Sequence, residues 1–410
     1  MSSLWAELVA DTARPAYHFG TRRAVGPADT LRRITPMLAG AGITRLADVT
    51  GLDWIGIPVY QATRPNSRNL SVAQGKGLTR VQAKVSALME SLESFHAECI
   101  DQPVERATLG VMRQQLAYDP YALPVVQTPS VGARDLSYDS YAPPIGAPTR
   151  LRDHTPLDWV AATDLVTGSA TWVPRQLCQL DFTLQERLAE PLFRATSNGL
   201  ASGNTVAEAL IHGLCEVVER DGLWRLHSPS HQPEPSIDQA GVPSRLAQQV
   251  LQRFARAGMR ADIVDATGPT LLPTFEVLLR HAESPATYHG SGCHPSRTTA
   301  LLRALTEAAQ SRLSHIAGSR DDFFRRSYTA GAEVSLNARL PADSAQRRFQ
   351  EIPSLLPGLG LGATVHEIVA RVRSVTGMSP LAVDLRRSAF GLPVVFVVAP
   401  GLRLAPPSRR

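Results

Sequence analysis

The sequence predicts an α/β (α+β) fold, because short apolar stretches alternate along the chain with longer stretches of helical periodicity. Apolar residues recur every three or four positions between residues 79 and 99, which is typical of one buried helix face. The predicted helices lie at residues 28–42, 79–99, 205–227, 248–258 and 297–318. The predicted strands lie at residues 43–51, 55–63, 261–266 and 393–400, with a hairpin over 159–174 that turns at Thr167–Gly168.

Two further stretches are predicted to be loops. Residues 65–77 are polar and rich in glycine, and residues 326–345 have few apolar positions, so the second stretch is a candidate mobile loop. Residues 102–156 are rich in proline and tyrosine and give no clear pattern.

Composition excludes several classes of protein. The chain has 410 residues, of which 43% are hydrophobic, so it can bury a large core. Its net charge of +5 is weak support for nucleic-acid binding, and none is expected. No uninterrupted apolar run is long enough to span a membrane, and the N-terminus does not resemble a signal peptide, so we expect a cytoplasmic protein. None of the 4 cysteines lies in a C-x-x-C pair, which argues against a zinc site.

Polar side chains spaced three residues apart recur on three of the predicted helices. This spacing places both members of a pair on one helix face. The pairs are Glu90 with Glu93, Glu216 with Glu219, and Glu307 with Gln310. Glu208 lies eight residues before Glu216 and shares roughly its face. Because like charges at this spacing repel, their repetition indicates a compensating cation, and Mg²⁺ prefers oxygen ligands. The alternative is a set of solvated helix faces.

A segment of small residues, 197–205, leads directly into the helix predicted at 205–227. Small residues allow a backbone to approach a ligand, and a helix N-terminus offers free N–H groups to an anion. Asn204 or Thr205 is equally suited to be a plain helix cap. The segment matches neither the G-x-x-x-x-G-K-[ST] nor the G-x-G-x-x-G pattern. Lys76, before the first carboxylate helix, either meets a phosphate or is an exposed loop lysine.

At these residues the sequence resembles the YcaO family. The matching blocks lie within residues 74–322 and read QGKGLT with SALMESLE, SNGLASGNTVAEALIHGLCEVVERD, and RALTEAAQSRL. The stretches 65–68 and 317–322 (AGSRDD) resemble the branch associated with TfuA partners and bottromycin-type clusters. The resemblance implies a YcaO-type fold with mixed sheets, in which long helices line one ATP cleft. It also implies a single catalytic unit over 1–410, with parts at 1–70, 71–325 and 326–410.

The resemblance implies an ATP- and Mg²⁺-dependent enzyme of ribosomal peptide natural-product maturation. Members of the family phosphorylate a backbone amide oxygen after a nucleophile has added to the amide carbon, which gives a thioamide, a macrocyclic amidine or an azoline. The expected substrate is a ribosomally made precursor peptide. A TfuA-like partner protein and a homodimer are also expected from the resemblance.

Site residues are carried over by motif. The resemblance implies a metal set of Glu90, Glu93, Glu208, Glu216 and Glu219. It implies nucleotide or phosphate contacts by Arg23, Thr30, Ser86, Asn204, Arg220, Gln310 and Arg312. It gives the catalytic roles to Glu216, Glu219, Arg220 and Arg312.

The sequence departs from the family pattern at a few points. Ser94 follows Glu93 where the first motif usually has arginine, and Ala201 stands where serine is frequent. The last residues, LAPPSRR, lack the alternating Pro-x-Pro-x-Pro pattern of azoline-forming members, and we see no N-terminal segment long enough for a leader-binding domain. These departures favour a thioamide or amidine product over an azoline.

Other classes of function are less well supported. A non-catalytic nucleotide-binding scaffold or regulator is the main alternative, and it predicts motif glutamates on separate, exposed faces. The histidines form no H-E-x-x-H spacing, which argues against a metal hydrolase, and no Ser-His-Asp order is present.

Overall fold

The structure, a computed structural model, describes residues 3–125, 151–183, 192–228, 231, 234–284, 286–323, 328, 346–355 and 358–403. The chain divides into two compact units. The first unit comprises Met1–Arg14, Glu93–Asp221 and Leu359–Pro406. The second unit comprises Pro15–Leu92, Gly222–Gly358 and Pro407–Arg410. The prediction of one catalytic unit with boundaries at 70/71 and 325/326 stays a prediction.

Helices and strands together confirm the mixed α/β class. The α-helices of the described residues are α1 Ser3–Ala10, α2 Pro27–Ile34, α3 Arg80–Glu98, α4 Leu109–Met112, α5 Arg175–Cys178, α6 Val206–Leu226, α7 Arg245–Arg256, α8 Arg297–Ala317 and α9 Leu361–Thr376. The strands are β1 Ala16–His18, β2 Thr21–Arg23, β3 Arg45–Asp48, β4 Val59–Thr63, β5 Val72–Lys76, β6 Val104–Thr108, β7 Pro156–Asp164, β8 Ala170–Pro174, β9 Leu200–Ser202, β10 Ser236–Ile237, β11 Met259–Asp265, β12 Thr274–His281, β13 Thr287–Cys293, β14 Gln346–Arg347, β15 Leu381–Asp384 and β16 Val394–Val398.

The first unit is built around an antiparallel sheet with strand order β6-β7-β15-β16-β9, to which β8 is added beside β7. The hairpin of β7 and β8 confirms the turn predicted at Thr167–Gly168, where Gly168 has a φ of +72°. Strand β9 lies inside the segment of small residues, and its pairing with β16 places that segment at the sheet edge. The start of α6 is therefore fixed by a strand rather than by a loop.

The second unit contains a five-stranded sheet with strand order β13-β12-β11-β10-β14 and a three-stranded sheet with order β3-β4-β5. Helices α7 and α8 pack on the larger sheet, and their apolar faces share one core with it. Gly290 and Gly292 of β13 lie against α8, where an added Cβ would come within 2.2 Å and 2.3 Å of backbone atoms. The glycines therefore allow backbone contact between β13 and α8.

The helix predicted at 28–42 is shorter in the structure. The α-helix α2 ends at Ile34 and is followed by a 3-10 turn over Thr35–Met37. Pro36 explains the difference, because proline lacks the N–H donor that would continue the α-helical hydrogen bonds. The other four predicted helices correspond to α3, α6, α7 and α8.

The prediction of a loop over 65–77 is wrong for its second half. Residues 72–76 form β5, which pairs with β4 in an antiparallel register. Gly75 is the reason for the error, because it marks a close approach of β5 to α3 rather than a loop. A Cβ at this position would lie 1.9 Å from the backbone N of Ala87.

We expect Gly75→Ala to destabilise the second unit by about 1–3 kcal/mol or more, because the added methyl group must push β5 and α3 apart. Chemical denaturation of the full chain measures the change. Gly51→Ala is the matched control, since a Cβ at Gly51 meets nothing within 4 Å. Equal stability of Gly75→Ala and wild type would show that β5 and α3 separate without cost.

Several elements were not predicted, among them β12, β13 and α9. The candidate mobile loop at 326–345 lies, apart from Tyr328, outside the described residues. No helix in the described part of the chain has both the length and the apolar character of a membrane span.

Candidate functional site

Glu93 is a buried carboxylate of the first unit, held by strand β9. Its Oε1 accepts a hydrogen bond from the backbone N of Ser202 at 2.8 Å and another from the Ser202 hydroxyl at 2.6 Å. Only 8% of the residue is exposed. Two donors on one oxygen fix the orientation of the carboxylate and compensate part of its burial.

Glu208 is a second buried carboxylate of the first unit, and Asn204 holds it. Its Oε2 accepts hydrogen bonds from the backbone N and the side-chain Nδ2 of Asn204, at 2.7 Å and 2.9 Å. Thr205 caps α6, since its hydroxyl accepts the Glu208 backbone N–H at 3.2 Å. Ser202 and Asn204 are two residues apart in the chain, so one short segment orients both Glu93 and Glu208.

Glu216 and Glu219 lie further along α6 and share a cationic neighbour. Arg220 Nη2 is 3.8 Å from a carboxylate oxygen of each. Glu219 is buried and Glu216 is half-buried. Arg220 therefore supplies part of the positive charge that offsets the repulsion between the two carboxylates. Two carboxylates and a guanidinium thus lie on one stretch of α6.

Glu90 is the predicted metal ligand that lies in the second unit. Its Oε1 accepts the backbone N–H of Gln74, at 3.4 Å. Gln74 is a strand residue of β5, and its side-chain oxygen accepts a hydrogen bond from the hydroxyl of Ser314 on α8. Strand β5 therefore links the carboxylate on α3 to helix α8 within this unit.

Lys76, the loop lysine of the sequence analysis, makes an ion pair inside the protein. Its Nζ donates to Glu307 Oε2, while Glu307 Oε1 accepts from the hydroxyl of Ser291 at 3.1 Å. Neither alternative given for Lys76 describes this arrangement, because the lysine is a strand residue with 18% of its side chain exposed. Glu307 is thereby held between β5 and β13.

Arg312, predicted to contact phosphate, is enclosed by protein groups. Its Nε donates to Asp53 Oδ2 at 3.0 Å, and its guanidinium lies 5.3 Å from the ring centres of both Trp54 and Tyr288. The arrangement is a buried ion pair with a cation–π contact on each of two rings. Gln310, two residues before Arg312, is half-buried on α8, and Ser86 is half-buried on α3.

Arg23 and Thr30 belong to the N-terminal part of the second unit. Thr30 is buried on α2, and its hydroxyl donates to the carbonyl of Gly26 at 3.3 Å. Arg23 contributes to a positive region: burial together with the charges of Arg303 and Arg23 lowers the pKa of His294 to about 3. A positive region of this kind suits an anionic ligand.

One buried polar cluster of the second unit was missed from the sequence. Glu276 Oε1 lies 3.0 Å from His227 Nε2 and 3.1 Å from His289 Nδ1. Burial acts to raise the pKa of Glu276, but the hydrogen bonds from His227 and His289 outweigh it and bring the pKa well below its ordinary value. The available signal was a glutamate at the centre of the apolar stretch that forms β12.

The family model for "YcaO cyclodehydratase, ATP- and Mg²⁺-binding" matches residues 74–403 of this chain. The chain belongs to the YcaO family. ATP and Mg²⁺ are therefore the cofactors of its family, as the sequence analysis predicted.

Relatives and solved structures agree with this membership. An uncharacterised protein from Rhizobium leguminosarum bv. trifolii, encoded in the region 3' of tfuA, is 36% identical over 93% of this chain and 89% of its own length. The structure of YcaO from Methanopyrus kandleri bound with AMPPCP and Mg²⁺ has a TM-score of 0.71 at 22% identity and covers 96% of this chain and 99% of its own. A heterocyclase in complex with substrate and cofactor has a TM-score of 0.76 at 24% identity, with 95% of this chain covered. The chain spans about half of that heterocyclase, 54% of its length. These two likenesses confirm the YcaO-type fold.

The donor atoms of this YcaO protein fit magnesium. The predicted metal set consists of glutamates alone, and carboxylate oxygens are ligands that Mg²⁺ prefers. Among the described residues, no three His, Cys, Asp or Glu side chains are grouped as a set that could hold a metal ion. Mg²⁺ binds through one or two carboxylates together with phosphates, so such a site requires no three-ligand protein group. Convergence of the three carboxylate helices on one cleft stays a prediction.

Proposed function

We propose that this chain activates a backbone amide of a ribosomally made peptide by ATP- and Mg²⁺-dependent O-phosphorylation. The supporting observation is the burial of the motif carboxylates. Glu93, Glu208 and Glu219 are 8%, 2% and 4% exposed, and Glu90 and Glu216 are half-buried. A scaffold that used these glutamates as solvated surface would not bury them, because an uncompensated buried carboxylate costs several kcal/mol. Burial of carboxylates is expected where they bind a cation.

We assign roles by chemistry. The glutamates at 90, 93, 208, 216 and 219 would hold Mg²⁺, which neutralises phosphate charge when bound. Asn204 orients Glu208, as its two hydrogen bonds indicate. Arg220, beside Glu216 and Glu219, is placed to neutralise the negative charge that develops in phosphoryl transfer. The proposed nucleotide contacts are Arg23, Thr30, Ser86, Gln310 and Arg312. Because Arg312 is enclosed by protein groups, we assign it a structural role as well.

The reaction balances as two steps on the substrate. A nucleophile adds to the amide carbon and loses its proton, and the amide oxygen takes the γ-phosphoryl group of ATP, which leaves ADP. Collapse of the adduct then breaks the carbon–oxygen bond and releases phosphate, and the proton on the amide nitrogen (azoline, amidine) or on the added sulfur (thioamide) is lost to solvent. Phosphorylation is required because an amide oxygen is otherwise a very poor leaving group. The chain would contribute positioning and charge neutralisation, and the substrate or a second protein would supply the nucleophile.

The product of the reaction and the partners of the chain are separate questions. A thioamide, a macrocyclic amidine and an azoline all follow from the same activated amide, and they differ in the nucleophile. The gene position of the Rhizobium relative supports a TfuA-like partner, which would deliver sulfur or another nucleophile. A homodimer and a cytoplasmic location stay predictions.

Incubation of the chain with ATP, Mg²⁺ and the peptide encoded beside its gene tests the proposal. We expect phosphate release that depends on the peptide. Replacement of oxygen by sulfur adds about 16 Da, and cyclodehydration removes about 18 Da, as the atoms exchanged require. Rapid ATP hydrolysis without peptide, or a phosphopeptide as the final product, would contradict the mechanism. ATP binding without turnover on any peptide would favour the scaffold.

A further inference from the structure

The buried carboxylate of Glu276 holds two imidazoles on one face of the five-stranded sheet. Glu276 lies on β12 directly opposite Ser291 of β13, and His289, two residues before Ser291, lies on the same face. One oxygen of Glu276, Oε1, is 3.1 Å from His289 Nδ1 and 3.0 Å from His227 Nε2. Only 7% of the Glu276 side chain and 18% of the His289 side chain are exposed. The carboxylate therefore fixes the orientation of the His289 ring.

The same carboxylate fixes which ring nitrogen of His289 carries a proton. Burial acts to raise the pKa of Glu276, but the hydrogen bonds and charges of the two histidines outweigh it, so the carboxyl group stays ionised. An ionised carboxylate can only accept hydrogen bonds, so Nδ1 of His289 must be the donor. In the neutral ring the lone pair then belongs to Nε2. This Nε2 is buried and has no hydrogen-bond partner in the described part of the chain.

Strand β13 joins this imidazole to the helix that carries proposed nucleotide contacts. Ser291 lies about 7 Å from His289 along the strand. Its backbone N and its hydroxyl donate to Glu307 Oε1 of α8, at 3.3 Å and 3.1 Å. Glu307 precedes Gln310 by three residues and shares its helix face. All of these residues belong to the second unit, so His289 lies on a strand that is fixed to α8 close to Gln310.

Charged neighbours of the cluster have partners of their own. Opposite Glu276 on β11 stands an apolar residue, Val264. The other charged groups on or beside this sheet face form ion pairs: Asp262 with Arg260 and Arg280, and Glu307 with Lys76. The charge that faces His289 is therefore that of Glu276.

We propose that His289 is the base that accepts the proton of the attacking nucleophile, and that Glu276 is its positioning residue. The inference rests on the proposed function, because it completes the first step of that reaction. The nucleophile forms its bond to the amide carbon while its bond to hydrogen breaks, and the proton goes to Nε2. The carbonyl electron pair goes to the amide oxygen, which takes the γ-phosphoryl group. Glu276 stabilises the imidazolium by its negative charge until the proton passes to solvent.

His289→Gln is expected to lower the turnover number for peptide-dependent phosphate release by about 100- to 10,000-fold, the usual contribution of a general base. ATP binding with Mg²⁺, measured by calorimetry, should stay at the wild-type value, because the base acts on the nucleophile and not on the nucleotide. The substrate is the peptide encoded beside the gene. His231→Gln is the matched control, since it removes another His–Glu pair of this unit, one that is partly exposed. Its turnover should equal that of wild type.

The pH profile and chemical rescue give readouts that a structural role would not change. A histidine base acts only when neutral, so wild-type turnover should fall as the pH is lowered through the range in which histidines take up a proton. His289→Gln should lose this fall. Imidazole added to His289→Ala should restore part of the turnover, and it should not stimulate His231→Ala. Glu276→Gln keeps the ring but not the charge that fixes its tautomer, so its turnover should also drop.

The outcomes separate this inference from the proposed function. A wild type that releases no phosphate with ATP, Mg²⁺ and peptide contradicts both. Wild-type turnover that His289→Gln leaves intact contradicts this inference alone. Loss of ATP binding in a folded His289→Gln variant, as judged by circular dichroism melts, would assign the cluster a structural role and overturn the proposal. If this variant does not fold, the wild-type profile decides, because turnover that persists where histidines are protonated also overturns the proposal.

Discussion

Glu219→Gln is expected to abolish measurable Mg²⁺-dependent ATP binding. Glu219 is buried on α6 beside Arg220, and glutamine has the same shape without the charge. The substitution leaves the Arg220 cation with one carboxylate fewer and removes a proposed metal ligand. Removal of one member of a buried charged set costs about 2–5 kcal/mol of binding free energy. Calorimetry with and without a chelator measures the loss.

The metal dependence decides how this result is interpreted. Carboxylates that face a triphosphate repel it unless a cation intervenes, so chelation should weaken ATP binding to wild type as strongly as Glu219→Gln does. Glu367→Gln is the control, because it removes a partly exposed glutamate of the same unit that pairs with Arg371 within α9. Unchanged ATP affinity in the chelated wild type would show that the glutamates do not hold a metal for the nucleotide.

Asp53→Ala is expected to destabilise the second unit by about 3–5 kcal/mol, because it leaves the buried guanidinium of Arg312 without its carboxylate. The cation–π contacts with Trp54 and Tyr288 are weaker than this ion pair and cannot replace it. Denaturant unfolding measures the change. Glu351→Ala, which breaks an exposed pair with Arg348, should leave the stability close to that of wild type, because exposed ion pairs contribute little.

The double variant Asp53→Ala with Arg312→Met shows whether the cost comes from the uncompensated charge. Replacement of a buried pair by apolar groups of similar volume is frequently neutral, so we expect most of the lost stability to return. ATP binding by this double variant then reports the nucleotide role of Arg312 separately from its structural role. If the double variant remains as unstable as Asp53→Ala, the lost stability comes from packing around Trp54 and not from the uncompensated charge.

The periodicity of apolar residues was sufficient to predict the long helices. Helices α3, α6 and α8 combine a regular apolar face with recognisable ends, such as Gly318 in the left-handed conformation after α8. Proline and glycine explain the errors. Pro36 lies inside an apparently continuous helical pattern, and Gly75 lies in a strand that pairs closely with a helix. Both residues act through backbone geometry, which side-chain periodicity does not report.

The candidate site was predictable in its residue types but not in its partners. The spacing of glutamates on α3 and α6 pointed to the carboxylates that the structure buries. Ser202 and Asp53 were not singled out, because each pairs with a residue that is distant in sequence. A single sequence contains no information on such pairings. The same reason explains why Arg312 was assigned to phosphate without regard to the carboxylate at Asp53.

The backbone contact between β13 and α8 has a mechanical consequence. Where Gly290 and Gly292 meet the helix, the spacing is set by main-chain atoms and not by side chains that change rotamer. Close-packed main-chain atoms have low compressibility, and β13 and α8 cannot slide past each other without steric overlap. We therefore expect α8, which carries Gln310 and Arg312, to move as one rigid body with the five-stranded sheet. Any rearrangement that shifts these two side chains must displace the whole layer or change their own torsion angles.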